Sequence, residues 1–414
     1  MNPSWRLEFP VLVAAADALA SIAVIRSLGR AGYPVHACSP RAEGLGLYSH
    51  FARARVVCPS HEDPIFLDWL RRYIQQNAIR AIIPTEGWLL ALRKSFSEFS
   101  PLLPFSSSES VVYAAMSKAD QIETCLRHPM VSNAQNHMPP FIILQESDGP
   151  PRAEALEDLG LPLYIKVDGC HSRGSKNSAV YPAESALQAL ESLKRLSQSY
   201  KKILVEGHVA GRGAGVFFLR WKGQLLAEFM HLRVHEVPHT GGVSSYRRSW
   251  WHQAIRDDAL AKLQAMDWEG VAMMEYRWNP STDQFFFLEM NGRFWGSLHL
   301  ALFAGVDFPT LLLDAFQGHA QSSVVRSRAS TRCRYTFPRD LLYVWSTWKD
   351  MQIGWAAKLA VAFKFFLLGL DPRVHSDLWF PHDRMLYWRQ LGRFLREELQ
   401  SRFAKGSPAA STDG

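Results

Sequence analysis

The chain has 414 residues, 47% hydrophobic and 21% charged, enough apolar material for two or three packed units. Its formal net charge of +7 is spread along the length with no block of like charges, which favours an acidic or phosphorylated small ligand and sets aside a nucleic-acid partner. The five cysteines (Cys38, Cys58, Cys125, Cys170 and Cys333) are scattered and never form a C-x-x-C pair, which argues against a disulfide framework or zinc site and for a reducing, cytoplasmic setting.

In chain order, "MNPSWRLEFPVLV" places an acidic residue ahead of its apolar run and lacks a basic n-region, so it reads as the lead-in to a strand and not as a signal peptide. The stretch "FPVLVAAADALASIAVIRSLGRAGYPVHACSP" reads as a strand, a helix from about Ala18 to Arg30 closed by Gly32, and a strand at Tyr33 to Cys38. "ARARVVCPS", "PIFLDWLRRYIQQNA" and "IRAIIPTE" repeat the alternation, predicting a parallel, doubly wound sheet through about residue 110. Its first turn, "AAADALAS", lacks the glycines that close approach to a dinucleotide pyrophosphate requires, so this unit is assigned a structural role.

A helix is predicted around "VVYAAMSKADQIETCLRHP", then a polar link near "NAQNHMPP", then helix, strand, loop and strand through "EALEDLGLPLYIKVDGCHSRGSKNSAVY". Lys166 lies inside the apolar strand "LPLYIKVD", where its ammonium needs an anion or acceptor, or else snorkels from an edge strand. The loop Asp168 to Ser178 follows at once, rich in small and polar residues whose amides could face a phosphate. A helix at "AESALQALESLKRLSQSY" leads to the strand "KKILVEGHVAGRGAGVFFLR", which breaks at a glycine-rich turn. After "QLLAEFMHL" comes the irregular basic stretch "RVHEVPHTGGVSSYRRSWW", in which Arg247 and Arg248 are candidates to grip a substrate carboxylate or phosphate, or a solvated surface pair.

A helix around "DALAKLQAM" precedes "GVAMMEYRW" and "QFFFLEMNG", joined by the turn-forming "NPSTD" into an antiparallel hairpin. Strict alternation points Phe287, Glu289 and Asn291 to one face and Phe286, Leu288 and Met290 to the other. Pairing the strands brings Glu275 beside Glu289 and Asn291. Two adjacent carboxylates need a bridging hard cation such as Mg²⁺, or separate arginine partners, for which Arg277 and Arg293 are available. Beyond residue 320, "DLLYVWSTWKDMQIGWAAKLAVAFKFFLLGL" is aromatic and apolar, but Lys358 and Lys364 interrupt it, which argues against a membrane span. An amphipathic helix there is expected to pack on the preceding unit, ahead of closing a dimer or lying on a membrane surface. A final helix and the small, polar tail "AKGSPAASTDG" follow, the tail expected to be disordered.

These motifs, in this order over roughly residues 8 to 320, resemble the ATP-grasp superfamily, and "HLRVHEVPHTGGVSSYR" with "EMNGRFWGSLHLA" is most similar to its predicted ATP-dependent carboligases, relatives of the carbamoyl-phosphate synthase large chain. The resemblance implies an α/β chain with a Rossmann-like domain at 1–112, an ATP-grasp domain at 113–320 with lobes at 113–205 and 206–320, and a helical C-terminal extension at 321–414. It makes Lys118 and Lys166 phosphate-binding lysines, and Ser172, Arg173, Gly174 and Ser175 part of a phosphate-covering loop. Glu206, Gly207, His208 and Val209 would meet adenine; Glu275, Glu289 and Asn291 would hold Mg²⁺, with Mn²⁺ as a substitute. Arg293, with Lys166, would serve phosphoryl transfer.

The chain departs from the commoner pattern at Asn291-Gly292-Arg293, where relatives read Asn-Pro-Arg, and at Gly213, where many carry a ribose-binding Glu, leaving His231, Arg233 or His235 for the ribose. The implied enzyme is a carboxylate–amine ligase working through an acylphosphate on small-molecule substrates. A catalytically silent ATP-binding protein and an enzyme with a non-amine acceptor are the alternatives.

Overall fold

The computed structural model describes residues 3–106, 108–131, 137–174, 177–239, 242–327 and 330–406; Ser175 and the tail beyond 406 lie outside them. Strands β1 (Val11–Val13), β2 (Val35–Ser39), β3 (Ala54–Val57) and β4 (Ala81–Ile83) form an all-parallel sheet in the order β3-β2-β1-β4. Val11 to Val13 are fully buried, because the helix Leu19–Arg30 covers one face of this sheet and the helix Phe66–Asn77 and its neighbours the other.

The second sheet is antiparallel, with order β5-β8-β6-β7: β5 (Phe141–Gln145), β6 (Leu163–Val167), β7 (Ala179–Ala183) and β8 (Lys202–Gly207). Leu163, Ile165 and Val167 pack under the helix Ala186–Leu196, leaving Lys166 on the opposite face. The third sheet runs β13-β12-β9-β10-β11-β15-β16 from β9 (Arg212–Trp221), β10 (Gln224–Val237), β11 (Val243–Ser249), β12 (Gly270–Trp278), β13 (Phe285–Asn291), β15 (Arg332–Arg334) and β16 (Val374–Ser376), with β14 (Val325–Arg326) beside β10. The segment after residue 320 thus adds short strands to this sheet as well as helices.

The helix predicted around residues 111–129 is two helices, Glu109–Ala114 and Lys118–Arg127. Ser117 breaks the run by capping the second helix, its hydroxyl accepting from the Asp120 amide at 3.2 Å. Arg247, a candidate substrate clamp, is buried and paired with Asp377 (Nη1–Oδ2, 2.7 Å), because alternation along β11 turns it inward while Arg248 faces out. The helix Trp355–Leu370 buries Lys358 and Leu368 and leaves Trp355, Leu359, Phe363, Phe366 and Leu370 exposed. Packing on the preceding unit therefore does not account for its most apolar side.

Candidate active site

The β12–β13 hairpin is antiparallel, with Met273 opposite Asn291 and Glu275 opposite Glu289. Tyr276 then faces Phe287, so Leu288 is an extra residue on β13 and forms a bulge. Strict alternation is overturned here: Phe287 turns into the core with Met290, and only Glu289 and Asn291 share the face of Glu275. Gln121 holds this sheet edge, its Oε1 accepting from the Met290 amide at 2.7 Å and its Nε2 donating to the Met290 carbonyl at 2.8 Å. Nothing in the local pattern singled out Gln121 for that task.

Four charged groups, Lys118, Lys166, Glu206 and Glu289, converge on this edge from a helix and two sheets, with Asp168 beside them. Lys118 opens its helix, an unfavourable place for a cation beside the positive end of the helix dipole. Asp168 offsets it, lying 3.2 Å from the ammonium and accepting from the Lys118 amide at 2.8 Å. The same ammonium stands 3.4 Å from Glu289, whose other oxygen accepts from the Asn291 side-chain Nδ2 at 2.8 Å. Burial would raise the Glu289 carboxyl, but the charges of Lys118 and Lys166 and the Asn291 hydrogen bond hold it at about 2. Lys166 is ion-paired to Glu206 on neighbouring β8, both side chains buried, and the second Glu206 oxygen has no partner among the described residues. Burial pushes the Glu206 carboxyl up, against the pull of Lys166.

Beyond this quartet, Arg233 reaches across β9 to Glu275 at 2.5 Å and bonds Glu236 at 3.2 Å, while Arg277 bonds Glu236 at 3.1 Å. Gly213 opens that lane: a Cβ there would lie 2.5 Å from the Arg233 Cδ and 2.7 Å from a Glu236 oxygen. Gly213 thus leaves the space that the Arg233 stem occupies. His231 lies one strand over from Gly215, which faces Glu275; it is buried, edge-on to Phe217 at 4.8 Å, and neither ring nitrogen has a partner among the described residues. Burial first, then Arg233 and Arg247, keep it neutral. His235 is engaged by Asp340 at 2.9 Å and stacked on Tyr343.

Arg293 donates to the Asn291 side-chain oxygen at 3.0 Å and, with Lys118, Asn291 and Gln121, lines a cleft of about 30 Å³ against Glu86 of the N-terminal unit. Glu86 follows β4, at the carboxyl end of a parallel strand where ligands usually sit, and accepts from the Ser178 hydroxyl at 2.6 Å. The "PTE" after that strand was the available signal. Gly292 is explained by Trp268, whose ring would lie 2.6 Å from a Cβ.

The remaining expected nucleotide contacts are dispersed. Gly207 and His208 donate backbone amides to the Pro140 and Gly160 carbonyls at 2.9 and 3.1 Å; the His208 side chain and Val209 face outward or lie half-buried just past β8. In the loop, Gly174 donates to the Ser172 hydroxyl at 3.1 Å and Arg173 pairs with Glu146 at 2.7 Å, lining a groove with Leu190 and Leu193 on the side of the sheet away from Lys166. Ser172, Arg173 and Gly174 are therefore not gathered with the two lysines.

The donor set fits a hard divalent cation: two carboxylates and an amide oxygen on one face, with Glu289 held ionised. No cluster of three or more His, Cys, Asp or Glu in metal-binding arrangement occurs among the described residues; here the third oxygen would come from Asn291, and Arg233 and Lys118 pair with Glu275 and Glu289.

The fold of the chain is similar to that of known structures. Biotin carboxylase from Campylobacter jejuni, solved as a β,γ-ATP complex, is 16% identical with a TM-score of 0.57 over 77% of this chain and 73% of its own. The chain has the ATP-grasp fold. L-amino acid ligase from Bacillus licheniformis is 14% identical (TM-score 0.55, 75% of this chain and 74% of its own). The biotin carboxylase domain dimer of Hydrogenobacter thermophilus 2-oxoglutarate carboxylase, solved with MgADP, ADP and bicarbonate, is 14% identical (TM-score 0.57, 78% and 73%). No protein-family model and no curated protein sequence matches the chain.

Proposed function

We propose that the protein is an ATP-grasp enzyme, an ADP-forming ligase that joins a small-molecule carboxylic acid to an amine. The observation carrying this reading is the convergence of Lys118, Lys166, Glu206 and Glu289 from separate elements into one set of mutually neutralising charges. Such a set accepts Mg·ATP by exchange: phosphate oxygens take over the lysines, the cation takes over Glu289, and Glu206, released by Lys166, accepts from the adenine. ATP-grasp neighbours solved as a β,γ-ATP complex and with MgADP support nucleotide use, and the ligase among them supports amide formation.

Mg²⁺ held by Glu275, Glu289 and Asn291 would neutralise the β- and γ-phosphate oxygens. Lys118 and Lys166 stabilise charge on the phosphates, and Arg293, braced by Asn291, faces the substrate beside Glu86. A substrate carboxylate oxygen attacks the γ-phosphorus, the bond to ADP breaks, and the acylphosphate is opened by an amine nitrogen, which loses its proton as inorganic phosphate leaves. Glu206 to Val209 would meet adenine, and Ser172 to Ser175 would cover the phosphates once the loop leaves Glu146. The unpaired cysteines support a reducing, cytoplasmic site of action.

The test is ADP formation by purified protein with Mg·ATP, against pooled carboxylic acids with and without pooled amines. Stimulation that needs both pools supports the ligase. Stimulation by acids alone points to another acceptor, and ATP binding with no turnover points to a silent nucleotide binder.

A further inference from the structure

We propose that the outward face of the helix Trp355–Leu370 docks on an anionic membrane surface, lying in its plane. The helix is turned inside out. Lys358 is only 7% exposed, whereas Trp355 (71%), Phe363 (65%), Phe366 (69%) and Leu370 (80%) face out with Leu359. At helical spacing these five fall within a stripe about 80° wide, and the exposed Leu367 widens it to about 120°, as wide as a buried helix face.

The stripe does not end with the helix. At its start the Trp348 and Trp355 rings meet edge to face at 5.8 Å, next to Met351, which is 93% exposed. At its end Leu370 shares a groove of about 490 Å³ with Trp379 and Trp388.

Charge decides the occupant. Lys349 lies 3.6 Å from the Trp345 ring centre and Arg384 4.9 Å from that of Trp379, so cations sit level with the indoles, and Lys364 is exposed on the helix flank beyond Leu367. The acidic residues of this region are spent on internal pairs: Asp350 on His239, Asp371 on Arg373, Asp377 on Arg247 and Asp383 on Arg26. Indoles and cationic groups around an apolar stripe match the headgroup layer of an anionic bilayer, while protein–protein cores are depleted of lysine. The helix has 16 residues, about 24 Å at helical rise, and no described helix is long and apolar enough to cross a membrane.

The experiment is co-sedimentation of the full chain with phosphatidylcholine vesicles with and without a quarter phosphatidylglycerol, at low and high salt, beside light scattering of the protein alone. Expected are salt-sensitive binding to the anionic vesicles, at least tenfold weaker binding for Phe363→Asp/Phe366→Asp, and roughly fivefold weaker binding for Lys364→Glu. Because these side chains are exposed, the variants should keep the parent's unfolding midpoint and circular dichroism. Absence of binding by the parent, binding that the double variant retains, or a dimer that the double variant splits would each overturn the proposal, the last by making a second copy the occupant.

Discussion

Glu289 is held ionised by lysines from two separate parts of the chain, and its neighbour Glu275 is paired with Arg233, which would compete with a metal there. Glu289→Gln should lower ADP formation at least a hundredfold, measured at saturating Mg·ATP, and should also lose the stability of the Lys118 pair near neutral pH. Its carboxyl is depressed in the folded state, so the stability it contributes is complete above about 4.5 and is lost as the pH falls toward about 2. Acid unfolding of Glu289→Gln should therefore be flatter than the parent's across that window. Arg233→Met leaves Glu275 without a partner and Glu236 with Arg277 alone, and should cost about 3 kcal/mol, part of it recovered by added Mg²⁺. A denaturation series with and without Mg²⁺ measures this, and no greater recovery than in the parent would remove Arg233 as the metal's competitor. Glu275, Glu289 and Asn291 were legible as a patch because i, i+2 spacing is local. The claim of Arg233 on Glu275 was not, because it crosses an intervening strand through the gap at Gly213.

At the scale of the element, the bulge at Leu288 and the clamp from Gln121 set the edge on which the site is built. Gln121→Leu would strand the buried Met290 amide and carbonyl, for a loss of about 2–4 kcal/mol. A higher half-saturating Mg²⁺ should accompany it, because Glu289 and Asn291 flank Met290. The hairpin and its antiparallel sense could be read from "NPSTD", and the parallel N-terminal sheet from its strand–helix alternation. A bulge leaves no such mark: it depends on how β13 packs against β12 and the core, and it reversed the expected facing of Phe287.

For the whole molecule, the C-terminal segment is bound into the fold by buried charge. Arg26 of the first long helix donates to Asp383 at 2.7 Å and to the Asp377 carbonyl at 2.7 Å, while Arg247 of β11 pairs with the Asp377 carboxylate. Asp377→Ala should cost roughly 3–5 kcal/mol by leaving Arg247 buried and unpaired, read as a lower denaturation midpoint. Removing residues 321–414 would strip Arg26 and Arg247 together and expose the β11 edge that β15 covers, and should yield insoluble protein. Composition foresaw the aromatic character of this segment but not that its helix would turn Lys358 inward.

The sequence by itself determined what is local or periodic: the alternating N-terminal strands and helices, the lysines stranded in apolar or helical settings, and the paired acidic positions on the hairpin. Tertiary structure alone decided which charges meet. It joined Lys118 to Glu289, Lys166 to Glu206 and Arg233 to Glu275, recruited Glu86 from a unit assigned a structural role, and withdrew Arg247 into the core. The physical reason is that a buried charge must find a partner, and residues far apart in the chain become neighbours only once the sheets have packed.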